Sequence, residues 1–111
     1  MVARVLDPGR LNARLRLETP ADADDGQGGV SEGWVAVTEL WGRVEPIRAK
    51  PGEAGGAAIA PVSHRVTIRY RGDIRHDMRF VHRGRSLKVR AVHDPDESRR
   101  YLVCDCEEGG P

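Results

Sequence analysis

Alternation with a period of two is the pattern that most constrains this chain. Residues 62–71, VSHRVTIRYR, put Val62, His64, Val66, Ile68 and Tyr70 on one face of a strand. Ser63, Arg65, Thr67, Arg69 and Arg71 fall on the other. Residues 13–19, ARLRLET, repeat the pattern, with Leu15 and Leu17 set between Arg14, Arg16 and Glu18. Residues 78–83 and 85–93 read as a hairpin around a tight Arg83-Gly84 turn, and 99–106, RRYLVCDC, as a last strand. Residues 33–47, GWVAVTELWGRVEPI, read as one long strand with a break or bulge near Gly42, ended by Pro46. A short helix over 36–41 is the weaker alternative, because the stretch is rich in β-branched residues. About six strands with short turn spacing and no helical period predict an all-β fold, a small antiparallel barrel or sandwich over 13–106.

The segments between these strands carry turn chemistry. Asp7-Pro8-Gly9 marks a turn in residues 1–12, which read as an extended N-terminal arm. Residues 20–32, PADADDGQGGVSE, read as a loop. Its aspartates lack the twelfth-position glutamate and flanking helices of a calcium-binding hand. Residues 48–61, RAKPGEAGGAAIAP, are small and unpatterned, and a loop of that length in a compact domain is functional or disordered. Residues 107–111 read as a frayed acidic tail. At 111 residues the chain is one domain. With two Trp, two Tyr, one Phe and a mean hydropathy of −0.53, its core is thin, and stabilisation by neighbouring chains is expected.

Net charge is +1, but the charge is unevenly distributed. Residues 62–100 hold eleven Arg and Lys against five Asp and Glu, while residues 21–60 hold three against seven. That segregation predicts a bipolar molecule, with one face suited to an anion and another to a cationic partner. Guanidiniums suit phosphate. The candidates for contact with DNA or a channel are Arg65, Arg69, Arg71, Arg79, Arg83, Arg85, Lys88 and Arg90. An aromatic platform for single strands and a helix for the major groove are both missing, so such contact would be blind to sequence. The competing reading pairs these arginines with acidic loops of neighbouring subunits.

Catalytic signatures are absent from the sequence. Ser63-His64 and Ser98 lack a nucleophile elbow, and no glycine-rich phosphate loop joins a strand to a helix. Cys104-x-Cys106 lies in a predicted strand, where both thiols share a face, and the spacing is poor for structural zinc. Buried small apolar cysteines are the better reading. His64, on an apolar strand face, reads as a hydrogen-bonded core or interface residue rather than a base. No cofactor and no enzymatic activity are expected. No apolar run approaches a membrane span, and the N-terminus lacks the apolar core of a signal peptide, so synthesis in the cytoplasm is expected.

Four features together resemble the phage head-tail joining proteins, the head closure or head-tail adaptor family. These are the start Gly9-Arg10-Leu11 with Arg14-Leu15-Arg16-Leu17-Glu18, and Gly33-Trp34 leading to Leu40-Trp41-Gly42-Arg43-Val44-Glu45-Pro46. The third and most specific is His64-Arg65-Val66-Thr67-Ile68-Arg69-Tyr70-Arg71, followed by Asp77-Met78-Arg79-Phe80. The fourth is Arg85 to Val92 with the closing strand at 99–104. Residues 51–60 depart from the family, being nearly all small. The resemblance implies a structural protein of a tailed phage or of a gene transfer agent. The resemblance further implies a closed ring, of about six or twelve copies, below the portal. Its implied partners are further copies of itself, the portal or a portal adaptor, a tail terminator or tail protein, and packaged double-stranded DNA. Under this reading Pro51, Gly52, Glu53, Gly55, Gly56 and Ile59 are pore-loop candidates, and Trp34, Trp41, His64 and Tyr70 are subunit-interface candidates. The alternative is a free-standing, sequence-nonspecific nucleic-acid-binding β-barrel.

Overall fold

A computed structural model describes residues 8–24, 30–47 and 62–109. After a 3-10 turn at Pro8–Arg10 come six strands: β1 (Ala13–Asp24), β2 (Val30–Pro46), β3 (His64–Arg69), β4 (Arg79–His82), β5 (Arg85–His93) and β6 (Tyr101–Glu108). All neighbours are antiparallel, and the order β1-β2-β3-β6-β5-β4 closes on itself through β4 and β1. The expected small all-β architecture is therefore a closed barrel. Closure leaves no sheet edge along the barrel wall.

Alternation fills the interior. Leu15 and Leu17 of β1, Val66 and Ile68 of β3, Phe80 of β4, Leu87 and Val89 of β5, and Leu102, Cys104 and Cys106 of β6 form one apolar cluster with Met78. Leu40 and Val44 of β2 pack against it from a half-buried position. The barrel interior is filled with side chains rather than open as a channel.

The long second strand behaves differently from the sequence expectation at Gly42. Its irregularity lies at Val37, where Leu17 pairs with Thr38 but Glu18 pairs with Ala36. Gly42 instead marks a close approach. A Cβ there would sit 2.6 Å from Leu15 Cδ1, 3.0 Å from the Thr67 carbonyl oxygen and 3.1 Å from Ile68 Cγ2. Pro46 ends the strand as expected.

Three boundaries also differ. Most of the segment read as a 20–32 loop is paired, with Pro20 opposite Trp34 and Asp24 opposite Val30. The ribbon hid from periodicity because it runs past the barrel wall, where neither face must be apolar. The C-terminal tail begins later than 107, because Glu107 and Glu108 belong to β6, opposite Lys88 and Leu87. Of the presumed extended arm, Pro8–Arg10 form a 3-10 turn and Leu11 is buried.

The β4–β5 hairpin matches its sequence signal. His82 pairs with Arg85 across Arg83 and Gly84, whose φ values are 51° and 76°. Two consecutive left-handed residues are the geometry of a type I′ turn, whose twist suits a hairpin.

Replacing Gly42 with Ala puts a methyl against a backbone carbonyl and two core side chains. It is expected to destabilise the domain by about 1–3 kcal/mol, the usual cost of overpacking a filled core. Urea unfolding of the two proteins measures this.

Candidate interaction surfaces

The arginines that alternate with the core residues stand on the outside of the barrel, and most are already occupied. Arg79 Nε donates to Glu18 Oε1 at 2.8 Å, and Arg71 makes two hydrogen bonds to Asp73 at 2.9 and 2.8 Å. Arg85 is bidentate on Glu108 at 2.7 and 2.8 Å, and Arg90 donates to Glu107. Arg65 Nε lies 3.6 Å from Asp105 Oδ1, an ion pair without a hydrogen bond. Arg69, Arg83 and Lys88 make no ion pair among the described residues. The bipolar expectation thus meets a spatial correction. The acidic end of the chain forms β6, between β3 and β5, and its carboxylates face the arginines of those strands.

Glu18 is the most enclosed carboxylate of the wall. Burial works to raise its pKa, but hydrogen bonds from Arg79 and Arg16 outweigh this and hold it below the ordinary glutamate value. Arg16 Nε lies 2.7 Å from Glu18 Oε2. Arg79 also lies over the Trp34 ring, 4.2 Å from its centroid, so one guanidinium joins a carboxylate to an aromatic face. Arg14 repeats the motif more loosely, 5.1 Å from the Trp41 centroid and 3.0 Å from Glu39 Oε1.

The four residues expected at a subunit contact fall in different places. Trp41 is 53% exposed and Tyr70 39% exposed, so both are open to a partner. Trp34 is half-buried beneath Arg79. His64 is buried at the barrel end where β2 and β3 are joined. Alternation gave no warning of Val35 and Val37, which are 51% and 40% exposed on the projecting ribbon. The pore-loop candidates Pro51, Gly52, Glu53, Gly55, Gly56 and Ile59 lie outside the described residues.

His64 organises that barrel end. Arg85 Nη2 lies 3.2 Å from its Nε2, and Ser63 Oγ lies 2.8 Å from its Nδ1. A guanidinium can only donate, so Nε2 accepts and the proton sits on Nδ1, which donates to the Ser63 hydroxyl oxygen. The same oxygen accepts from the Glu108 backbone N–H at 2.7 Å. Arg85 therefore ties β5 to β3 and β6 rather than standing free for an external anion. The hydrogen bond from Arg85 holds the Glu108 carboxyl below its ordinary value.

Cys104 and Cys106 are both fully buried on the inner face. Burial pushes the Cys104 thiol up to about 12, and Cys106 further in the same direction. Both are neutral at physiological pH and poor nucleophiles or metal ligands. Among the described residues no group of three or more His, Cys, Asp or Glu side chains is placed to hold a metal ion.

Two measurements check this wall. Removing the Glu18 charge as Glu18→Gln is expected to cost about 2 kcal/mol at neutral pH, since hydrogen bonds to charged groups contribute 1.5–3. Because the folded pKa is depressed, this stabilisation is complete above 4.5, the ordinary value, and is lost as pH falls below it. Stability of the variant should fall less steeply across that acid range. The thiols are expected to resist a maleimide at pH 8 in the native protein and to react fully in denaturant.

Comparison with known proteins agrees with this architecture. The profile of the phage head completion protein family matches residues 6–109. The solution structure of protein SF1141 from Shigella flexneri 2a is 31% identical, with a TM-score of 0.73, covering 94% of this chain and 97% of that one. A chain in the virion of a native gene transfer agent particle is 26% identical, with a TM-score of 0.64, covering 88% and 94%. No protein of curated function matches the chain. A family match over nearly the whole length leads to one assignment: the chain belongs to the phage head completion protein family, whose role in the phage head is structural.

Proposed function

We propose that the protein forms a ring below the portal of a tailed phage or gene transfer agent, closes the DNA channel and offers the surface on which the tail docks. The observation that carries this reading is the family match over residues 6–109, joined by the likeness to a gene transfer agent virion chain. The packed barrel interior adds a constraint. DNA cannot pass through one subunit, so a channel must lie between copies. Six or twelve copies, a portal or adaptor above and a tail terminator below complete the proposed assembly. Residues 51–59 remain the candidates for a loop that enters the channel.

The charge geometry narrows the DNA contact. Arg65, Arg71, Arg79, Arg85 and Arg90 are engaged by carboxylates of their own subunit. Of the eight candidate cations, Arg69, Arg83 and Lys88 are left for phosphate, and Arg10, Arg99 and Arg100 likewise make no ion pair among the described residues. Pairing of the other five within the subunit lowers the counterion release that the free-standing nucleic-acid-binding reading relies on.

Electron microscopy of particles made without the protein tests the proposal. Tail-less heads, many of them empty, are expected. Filled, tailed particles would sink the closure reading. Replacing residues 52–60 should make heads leak while the domain still folds, and unchanged retention of DNA would remove the plug assignment.

A further inference from the structure

Charge is not shared evenly around the barrel wall. On β1, β4 and β5 the residues beside the buried Leu15, Leu17, Phe80, Leu87 and Val89 turn outward. Arg14 and Arg16 stand on β1, Arg79 on β4, Arg83 in the hairpin turn, and Lys88 and Arg90 on β5. Glu39 meets Arg14, Glu18 is shared by Arg16 and Arg79, and Glu107 meets Arg90. Six cations against three carboxylates leave this face with an excess of three positive charges. The outward cations of β2, β3 and β6 are Arg43, Arg65 and Arg69, and Glu45 and Asp105 balance the first two.

Register draws the excess together. One row crosses four strands as Glu18, Arg79, Lys88 and Glu107, each opposite the next. Arg79 and Lys88 are therefore like charges set directly opposite, an unfavourable pair that an external anion would relieve. The flanking acids are already committed, Glu18 to two guanidiniums and Glu107 to Arg90. Lys88 makes no ion pair among the described residues. The adjacent row runs Arg16, Val81, Ser86, one cation beside two short uncharged side chains. Between Val89 and Ala91 the strand bulges, and Arg90 is the extra, exposed residue.

We propose that the outer face of β1, β4 and β5 is turned toward packaged double-stranded DNA and holds its phosphates without reading sequence. This inference rests on the ring reading and gives each subunit an orientation. The seam where the barrel closes looks into the channel, and the nearly balanced β2–β3–β6 face, with exposed Trp41, looks away from it. The excess is spread over three strands, roughly 10 Å across at the usual strand spacing, rather than focused in a pocket. That suits a line of phosphates better than a single carboxylate. The hold is loose. Each phosphate neutralised adds about −0.9 to the slope of log affinity against log salt, so three charges give about −3 per subunit. A weak grip repeated around a ring steadies DNA and still lets it slide.

The test is a titration of the full chain with a DNA duplex of arbitrary sequence, read residue by residue by NMR and repeated at rising salt. Shifts are expected at Arg16, Arg79, Arg83, Ser86 and Lys88, and should fade at high salt. Arg83→Gln with Lys88→Gln removes two of the excess charges, so the slope should drop from about −3 to about −1. The melting temperature should not move, because both side chains are exposed and make no ion pair among the described residues. Arg69→Gln, on the other face, should bind as wild type. No shifts at low salt, wild-type binding by the double variant, or an equal loss in Arg69→Gln would each overturn the assignment. So would shifts caused by polyglutamate and not by the duplex, which would make the occupant an acidic protein. The ring reading falls on a different result, a single copy of the wild-type chain per particle.

Discussion

Closure of the barrel depends on a seam of three residue pairs, Arg16–Val81, Leu17–Phe80 and Glu18–Arg79, where β1 meets β4. Leu17 and Phe80 meet inside, both wholly buried, and the Glu18–Arg79 ion pair lies outside. Without that seam β4 and β1 would be the two edges of an open sheet, and the apolar cluster would face water. A short ladder is a weak closure if hydrogen bonds alone must hold it. Phe80 in the core and Arg79 between Glu18 and Trp34 reinforce it from both sides. The enclosed carboxylate of Glu18 thus has an architectural use where no chemistry calls for one.

The barrel strands were legible because each has one dry face. Leu15 and Leu17, Val66 and Ile68, and Cys104 and Cys106 alternate with polar residues, and each pair lies in the core. The Arg83-Gly84 turn was legible because so few dipeptides suit two left-handed residues. The outer part of the ribbon, read as a loop over 20–32, was not, because outside the barrel a strand needs only backbone pairing, which leaves no mark in the side chains. Gly42 was seen but misread. Glycine in a strand signals either a bulge or a close approach, and only the neighbours Leu15 and Thr67 decide between them.

The candidate surface was legible in composition and not in pairing. Counting charges along the chain gave a basic segment, but strand order decides which charges meet. β6 comes last in sequence and lies between β3 and β5 in space, so its acids neutralise arginines encoded much earlier. His64 shows the same limit. Its place on an apolar face marked it as buried or shared with a partner, but its neighbour Arg85, 21 residues away, left no mark in the sequence.

The seam at Glu18 and Arg79 joins residues 61 positions apart. Local hairpins such as β4–β5 can form on their own, whereas the barrel is incomplete until the first strand finds the fourth. Domains dominated by such distant pairings fold in roughly milliseconds to seconds, far more slowly than helical bundles. Until the seam closes, β1 and β4 each carry an unpaired edge beside exposed leucine and phenylalanine. The interval before closure is therefore when the chain is most open to wrong strand pairing.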